Sequence, residues 1–129
     1  MYFGLCLVVK EFRMWKELAP SIHRQRMIIE GTLLNALKPE DMSAYVMKIT
    51  KVLNMTYVTA PILNYDEKYG WCAYMHWKES GIHMYAWDNH KPPFFSIDIY
   101  TCKKFDPSEA VEFTKIFLGE NLIDIAWKE

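Results

Sequence analysis

Little in this 129-residue sequence points to a strongly charged or covalently braced protein. Lys and Arg number 15 against 16 Asp and Glu, a formal net charge of −1. So balanced a chain carries no electrostatic footprint for nucleic acid or an anionic membrane, and no run of about five like charges creates one locally. Cysteines are few: Cys6, Cys72 and Cys102 stand far apart without CxxC spacing. Such a set reads as reduced thiols of a cytoplasmic protein rather than a disulfide framework or zinc site. Long apolar runs are also missing. The opening MYFGLCLVVKEF lacks a basic n-region and is too short to span a bilayer, and no run of about 18 apolar residues follows. An unexported, soluble protein is expected. Phosphate loops, GxGxxG turns, GxSxG elbows and HExxH helices are absent. His23, His76, His83 and His90 sit on different predicted elements without ligand spacing, so no metal is expected. With no repeats, low-complexity tracts or linkers, one domain over residues 1–129 is expected, residues 1–23 being an extension of uncertain structure.

What is present is apolar and aromatic, at 51% and 16% of residues, enough for a real core. Residues 3–9 suit a buried strand or docked arm, and Glu11–Leu18 a short helix that Pro20 ends. Met27-Ile28-Ile29 begins a strand that Gly31-Thr32-Leu33 continues. Pro39, Glu40 and Asp41 open a helix to about residue 54. Along it Met42, Tyr45, Val46, Ile49, Val52 and Leu53 recur at helical spacing, giving one face meant for a sheet. Thr56–Leu63, interrupted by Pro61, reads as an edge or strand end, and Asn64–Lys68 as a turn. Gly70–Trp77 and Gly81–Trp87 form a natural hairpin across the link Lys78-Glu79-Ser80. Phe94–Cys102 is a strand with Phe95, Ile97, Ile99 and Thr101 on one face. Asp106 caps a second helix, with Pro107 at its first position, Glu109 as the capping-box acid, a stripe of Ala110, Phe113, Ile116 and Phe117, and Gly119 as its stop. Leu122–Trp127 is the last strand. The order β-α-β-β-β-α-β predicts an α+β two-layer sandwich, a mainly antiparallel sheet with both helices on one face.

In sequence come Tyr69-Gly70, Glu79-Ser80, Ala86-Trp87, the strand Ser96-Ile97-Asp98-Ile99-Tyr100-Thr101-Cys102, and Asp106-Pro107. This succession resembles the prokaryotic S-adenosylmethionine decarboxylases from about Arg24 to the C-terminus. Its most specific piece is the Thr-Cys strand end followed by Asp-Pro. The resemblance implies self-cleavage between Glu79 and Ser80, with Ser80 converted to a pyruvoyl cofactor. The ketone of that group forms a Schiff base with the substrate amine and withdraws electrons during decarboxylation, the step that feeds polyamine (spermidine) synthesis. Cys102 aligns with the family's cysteine that reprotonates the product. Substrate contacts are implied at Tyr65, Asp66, Glu79 and Trp87. The resemblance also implies a homodimer, because family members of this length pair to complete their sites; Phe3, Leu5 and Trp15 of the N-terminal arm are candidates for the interface.

Several positions depart from the family pattern. The histidine five residues after the cleavage serine stands here as Tyr85, with His83 two residues earlier on the same strand face. The family's second processing serine is Cys72, the residue after Ser80 is Gly81, and the Phe-His-x-Phe adenine stretch is Leu63-Asn64-Tyr65-Asp66. Tyrosine is a poor base at neutral pH, and Asp66 suits a cationic amine. Two alternatives therefore stay open: a decarboxylase of a basic amino acid such as ornithine or arginine, and an uncleaved homologue that binds S-adenosylmethionine or a partner subunit. Each residue also has a plainer role: Ser80 as a turn former, Cys102 as a small buried hydrophobe, His83 as a surface histidine, Tyr85 and Trp87 as core.

Overall fold

The computed structural model describes residue 12 and residues 14–129. The expected strand or arm at residues 3–9, with Phe3, Leu5 and Cys6, lies outside them. So does Glu11. Residues 14–18 form no helix, and Met14 and Trp15 are exposed.

Strand β1 (Gln25–Leu33) leads to helix α1 (Pro39–Val52). Strands β2 (Ile62–Asp66), β3 (Gly70–Trp77), β4 (Ser80–Trp87) and β5 (Phe94–Thr101) follow, then helix α2 (Pro107–Leu118) and strand β6 (Leu122–Lys128). The six strands form one antiparallel sheet in the order β2-β3-β4-β5-β1-β6, an α+β sandwich as expected. Four strands rather than three separate the helices. Asn64-Tyr65-Asp66, expected as a turn, is the end of edge strand β2. Its residues are mostly exposed, so it lacks the alternation that marks a half-buried strand.

One sheet face is covered by the helices. Phe95, Ile97, Ile99 and Thr101 are fully buried there, as are Met42, Tyr45, Val46 and Ile49 of α1. Val52, expected on that helix face, is partly exposed. On α2 the buried residues are Ala110, Val111, Thr114 and Leu118, while Ile116, expected in the stripe, is 71% exposed. Asp106 caps α2 by accepting Ser108 N–H at 2.9 Å and Ser108 Oγ–H at 2.7 Å, and Glu109 makes no return bond to the Asp106 backbone as a capping box would require. The helices are tied by a 2.7 Å bond between Tyr45 Oη and Thr114 Oγ1, with Phe113 and Phe117 packed on the Tyr45 ring. Burial pushes the Tyr45 hydroxyl far above its ordinary pKa, so it is a neutral donor or acceptor in the core. Among the described residues no helix is long and apolar enough to cross a membrane.

Candidate active site

Trp77 is the last residue of β3 and is completely buried. Its indole N–H donates to Thr50 Oγ1 of α1 at 2.9 Å, which fixes the end of the strand to the helix layer. The chain then reverses in two residues, Lys78 and Glu79, since Ser80 already pairs with Trp77 as the first residue of β4. The expected three-residue link is thus one residue shorter. A tight turn here holds Ser80 at φ 135°, a region that L side chains avoid because Cβ crowds the neighbouring carbonyls. Such a conformation costs on the order of 1–3 kcal/mol and persists only where the surroundings over-determine it.

They do so from two sides. On one, Lys78 N–H donates to Thr56 O at 2.7 Å, Val58 N–H donates to His76 O at 2.9 Å, and the Glu79 carboxylate accepts Thr56 N–H at 2.9 Å. Burial opposes the charged form of Glu79, but the bonds from Thr56, helped by the nearby Lys103 ammonium, hold its carboxyl below the usual value. On the other side, Ser80 pairs with Thr101, and the next residue, Cys102, donates its backbone N–H to the Glu79 carbonyl oxygen at 2.8 Å. Buried Thr101 sets that donor by closing a small turn, its Oγ1 accepting Lys103 N–H at 2.9 Å. The peptide carbonyl immediately before Ser80 is therefore polarised by an N–H placed where an oxyanion would need one. Cys102 is exposed, not the buried hydrophobe of the plainer reading.

Among the described residues the second sheet face has no helix on it, and it carries a continuous aromatic stripe. Tyr74 lies 4.4 Å from His83, His83 stacks on Tyr85 at 5.8 Å and 19°, and Trp87 continues the row to Phe94. Tyr85 and Trp87 are thus on the open face and not in the core. Two cavities, each about 320 Å³, lie along this face. Ser80 and His83 line the first together with Tyr74, His76, Asp98 and Tyr100. Cys72 and Tyr85, directly opposite each other in register, line the second with Asp66 and Trp87. Ser80 and His83 therefore line the same cavity, while Tyr85, five residues and roughly 16 Å along the strand from Ser80, lines the other.

Of the residues implied in substrate contact, Asp66 and Trp87 meet in the second cavity. Tyr65 is exposed on the edge strand and touches that cavity through its 5.2 Å packing on Trp71. Glu79 borders neither cavity. Asp66 also accepts the N–H groups of Lys68 and Tyr69 at 2.8 and 2.9 Å, which closes the β2–β3 turn.

The electrostatics separate the two candidate bases. Burial raises the Tyr85 hydroxyl, and the charges of Asp98 and Cys72 raise it further, so it holds its proton at neutral pH. Burial lowers His83, against the pull of Asp98, so its imidazole is largely neutral at pH 7 and able to accept a proton. Sequence reasoning missed Asp98, Tyr74 and Tyr100 as cavity residues, although alternation along β5 puts Asp98 and Tyr100 opposite the apolar stripe. It also missed the Cys102 amide, which has no sequence signature. Among the described residues no group of three or more His, Cys, Asp or Glu is placed to hold a metal.

The family model for S-adenosylmethionine decarboxylase matches residues 30–126, from within β1 to within β6. The chain belongs to the S-adenosylmethionine decarboxylase family. As a member it is decarboxylase-like in function, and the matched region contains Glu79, Ser80, His83 and Cys102 together. A search of the curated proteins finds no match. Against the family pattern, Gly81 has a local reason in this member of the family. A Cβ at residue 81 would lie 2.8 Å from the Met75 carbonyl oxygen, so β3 leaves no room for a side chain there.

Proposed function

We propose that this chain is a self-processing decarboxylase of S-adenosylmethionine, acting in polyamine synthesis, with a pyruvoyl group made from Ser80. The observation that carries the reading is the Glu79 carbonyl, bonded by the Cys102 N–H at 2.8 Å just before a serine held at φ 135°. These residues fit a group formed in place, because Ser80 and a neutral imidazole border one cavity and the polarised carbonyl belongs to the residue just before Ser80.

In this reading the Ser80 hydroxyl gives its proton to His83 as Oγ bonds to the Glu79 carbonyl carbon. The negative charge that develops on oxygen is met by the Cys102 N–H. The bond to the Ser80 nitrogen breaks, that nitrogen takes the proton, and an ester remains. Removal of the Ser80 α-proton then breaks the Cβ–Oγ bond, and the oxygen leaves with the new Glu79 carboxylate. Water replaces the nitrogen, which departs as ammonia. The ketone left on residue 80 supplies the electron sink that decarboxylation of an amino acid needs. Cys102, exposed beside the same turn, holds the proton for the product α-carbon. The second cavity, with its aromatic walls and Asp66, suits the cationic remainder of the substrate. That chemistry also accommodates a basic amino acid.

A homodimer belongs to the same reading. The aromatic open face has no second layer among the described residues, and a second copy laid on it closes the Ser80 cavity of each chain.

The separation of Cys72 and Tyr85 from Ser80 favours a second reading, an uncleaved homologue that binds a ligand or partner. Intact mass under denaturing conditions separates the two. Processing gives residues 1–79 and a piece 80–129 with a blocked N-terminus. A single full-length chain overturns the pyruvoyl reading. Carbon dioxide release from S-adenosylmethionine, ornithine and arginine then names the substrate.

A further inference from the structure

His83 is a candidate base lining the Ser80 cavity. Among the described residues its ring makes no hydrogen bond, whereas the Tyr74 hydroxyl meets His76 Nδ1 at 3.2 Å. The imidazole is packed by the Tyr74 ring on β3 and the Tyr85 ring on its own strand. From β5 it faces Asp98, its direct partner in the β4–β5 register, with Tyr100 two residues on. A carboxylate directly across an antiparallel pair is within reach of an imidazole and would ordinarily hold it as imidazolium.

Here the carboxylate is already engaged. Arg26 on β1 reaches diagonally across β5, its Nε donating to Asp98 Oδ1 at 3.0 Å and its Nη2 to Oδ2 at 2.7 Å. Both oxygens are taken in a fork-to-fork pair, the geometry in which Arg binds a carboxylate most specifically. On its other side Asp98 pairs in register with Ile28, which offers no polar group.

We propose that Arg26 is a positioning residue for self-cleavage: by occupying both oxygens of Asp98 it keeps that carboxylate from pairing with His83, leaving the imidazole uncharged to take the Ser80 proton. The proposal rests on the reading of His83 as the processing base. Arg26 touches neither Ser80 nor Glu79, and its effect passes through Asp98 alone. Arg26→Gln therefore frees Asp98 to hold His83 in its charged form, while Arg26→Gln with Asp98→Asn removes the carboxylate and cancels the effect.

The test uses the full chain carrying Ser80→Ala, so that no cleavage intervenes. The His83 ring signals are followed by NMR against pH and assigned by comparison with His83→Gln. Arg26→Gln is expected to raise the His83 midpoint by about half a pH unit or more, and the double variant to return it to or below the starting value. In the cleavable chain, the acid limb of the cleavage rate moves upward by the same amount in Arg26→Gln, with the plateau above pH 8 unchanged. A midpoint unmoved by Arg26→Gln, or moved equally in the double variant, overturns the proposal. If the unmodified chain never cleaves, the function proposed above fails, and the NMR arm still decides whether Arg26 governs His83.

Discussion

The backbone of Ser80 offers a direct measurement of how tightly the turn is held. Its φ of 135° is adverse to any residue with a Cβ and ordinary for glycine. Ser80→Gly and Ser80→Ala both remove the nucleophile, so both are compared as uncleaved chains. Alanine keeps the Cβ and the cost of the conformation, on the order of 1–3 kcal/mol. Glycine removes it but gives back about 0.4–1 kcal/mol through the greater freedom of its unfolded chain. The net expectation is that Ser80→Gly is more stable than Ser80→Ala by about 1 kcal/mol, or roughly 4 °C in Tm for a chain of this size. Thermal melts by circular dichroism, or urea titration at constant m, read the difference. Equal stabilities, or a less stable glycine variant, would refute the argument that the Lys78–Glu79 turn imposes this conformation against the preference of the side chain.

Two further outcomes follow from the described contacts. Cys102→Ala keeps the backbone N–H that meets the Glu79 carbonyl but loses the thiol, so cleavage by mass proceeds while carbon dioxide release from the cleaved protein falls about 100-fold; equal loss of both contradicts the assigned role. Thr114→Val leaves the buried Tyr45 hydroxyl without its 2.7 Å partner and lowers unfolding stability by about 1–3 kcal/mol, whereas adding Tyr45→Phe recovers part of that loss.

Much of the layer architecture was readable because it depends on local periodicity. Alternation of Phe95, Ile97, Ile99 and Thr101 placed β5 correctly, and Asp106-Pro107 fixed the start of α2. Helical spacing does not say which residue at the margin of a stripe turns inward, so Ile116 was misjudged where Thr114 is the buried one. Edge strand β2 has almost no buried side chain to produce a pattern. The open sheet face misled for the opposite reason: Tyr85 and Trp87 are as aromatic as any core pair, and composition alone does not distinguish a face covered by helices from one that is bare. At the candidate site, motif order singles out Ser80 and Cys102, and the structure places them on neighbouring strand ends. The φ of Ser80, the Cys102 amide and the separation of Tyr85 from Ser80 were not, because each arises from strand register across the sheet.

The strand order has a consequence for the proposed processing. A cut at Glu79–Ser80 leaves β1, β2 and β3 with α1 on one fragment, and β4, β5 and β6 with α2 on the other. In the sheet these alternate in blocks, β2 and β3, then β4 and β5, then β1, then β6. Neither fragment can assemble its three strands side by side on its own without leaving a gap the other fills. Parting them means breaking three complete strand ladders, β3–β4, β5–β1 and β1–β6, and separating the two helices. A molecule cut there would therefore be an interdigitated pair of chains that a denaturant, and not dilution, would take apart.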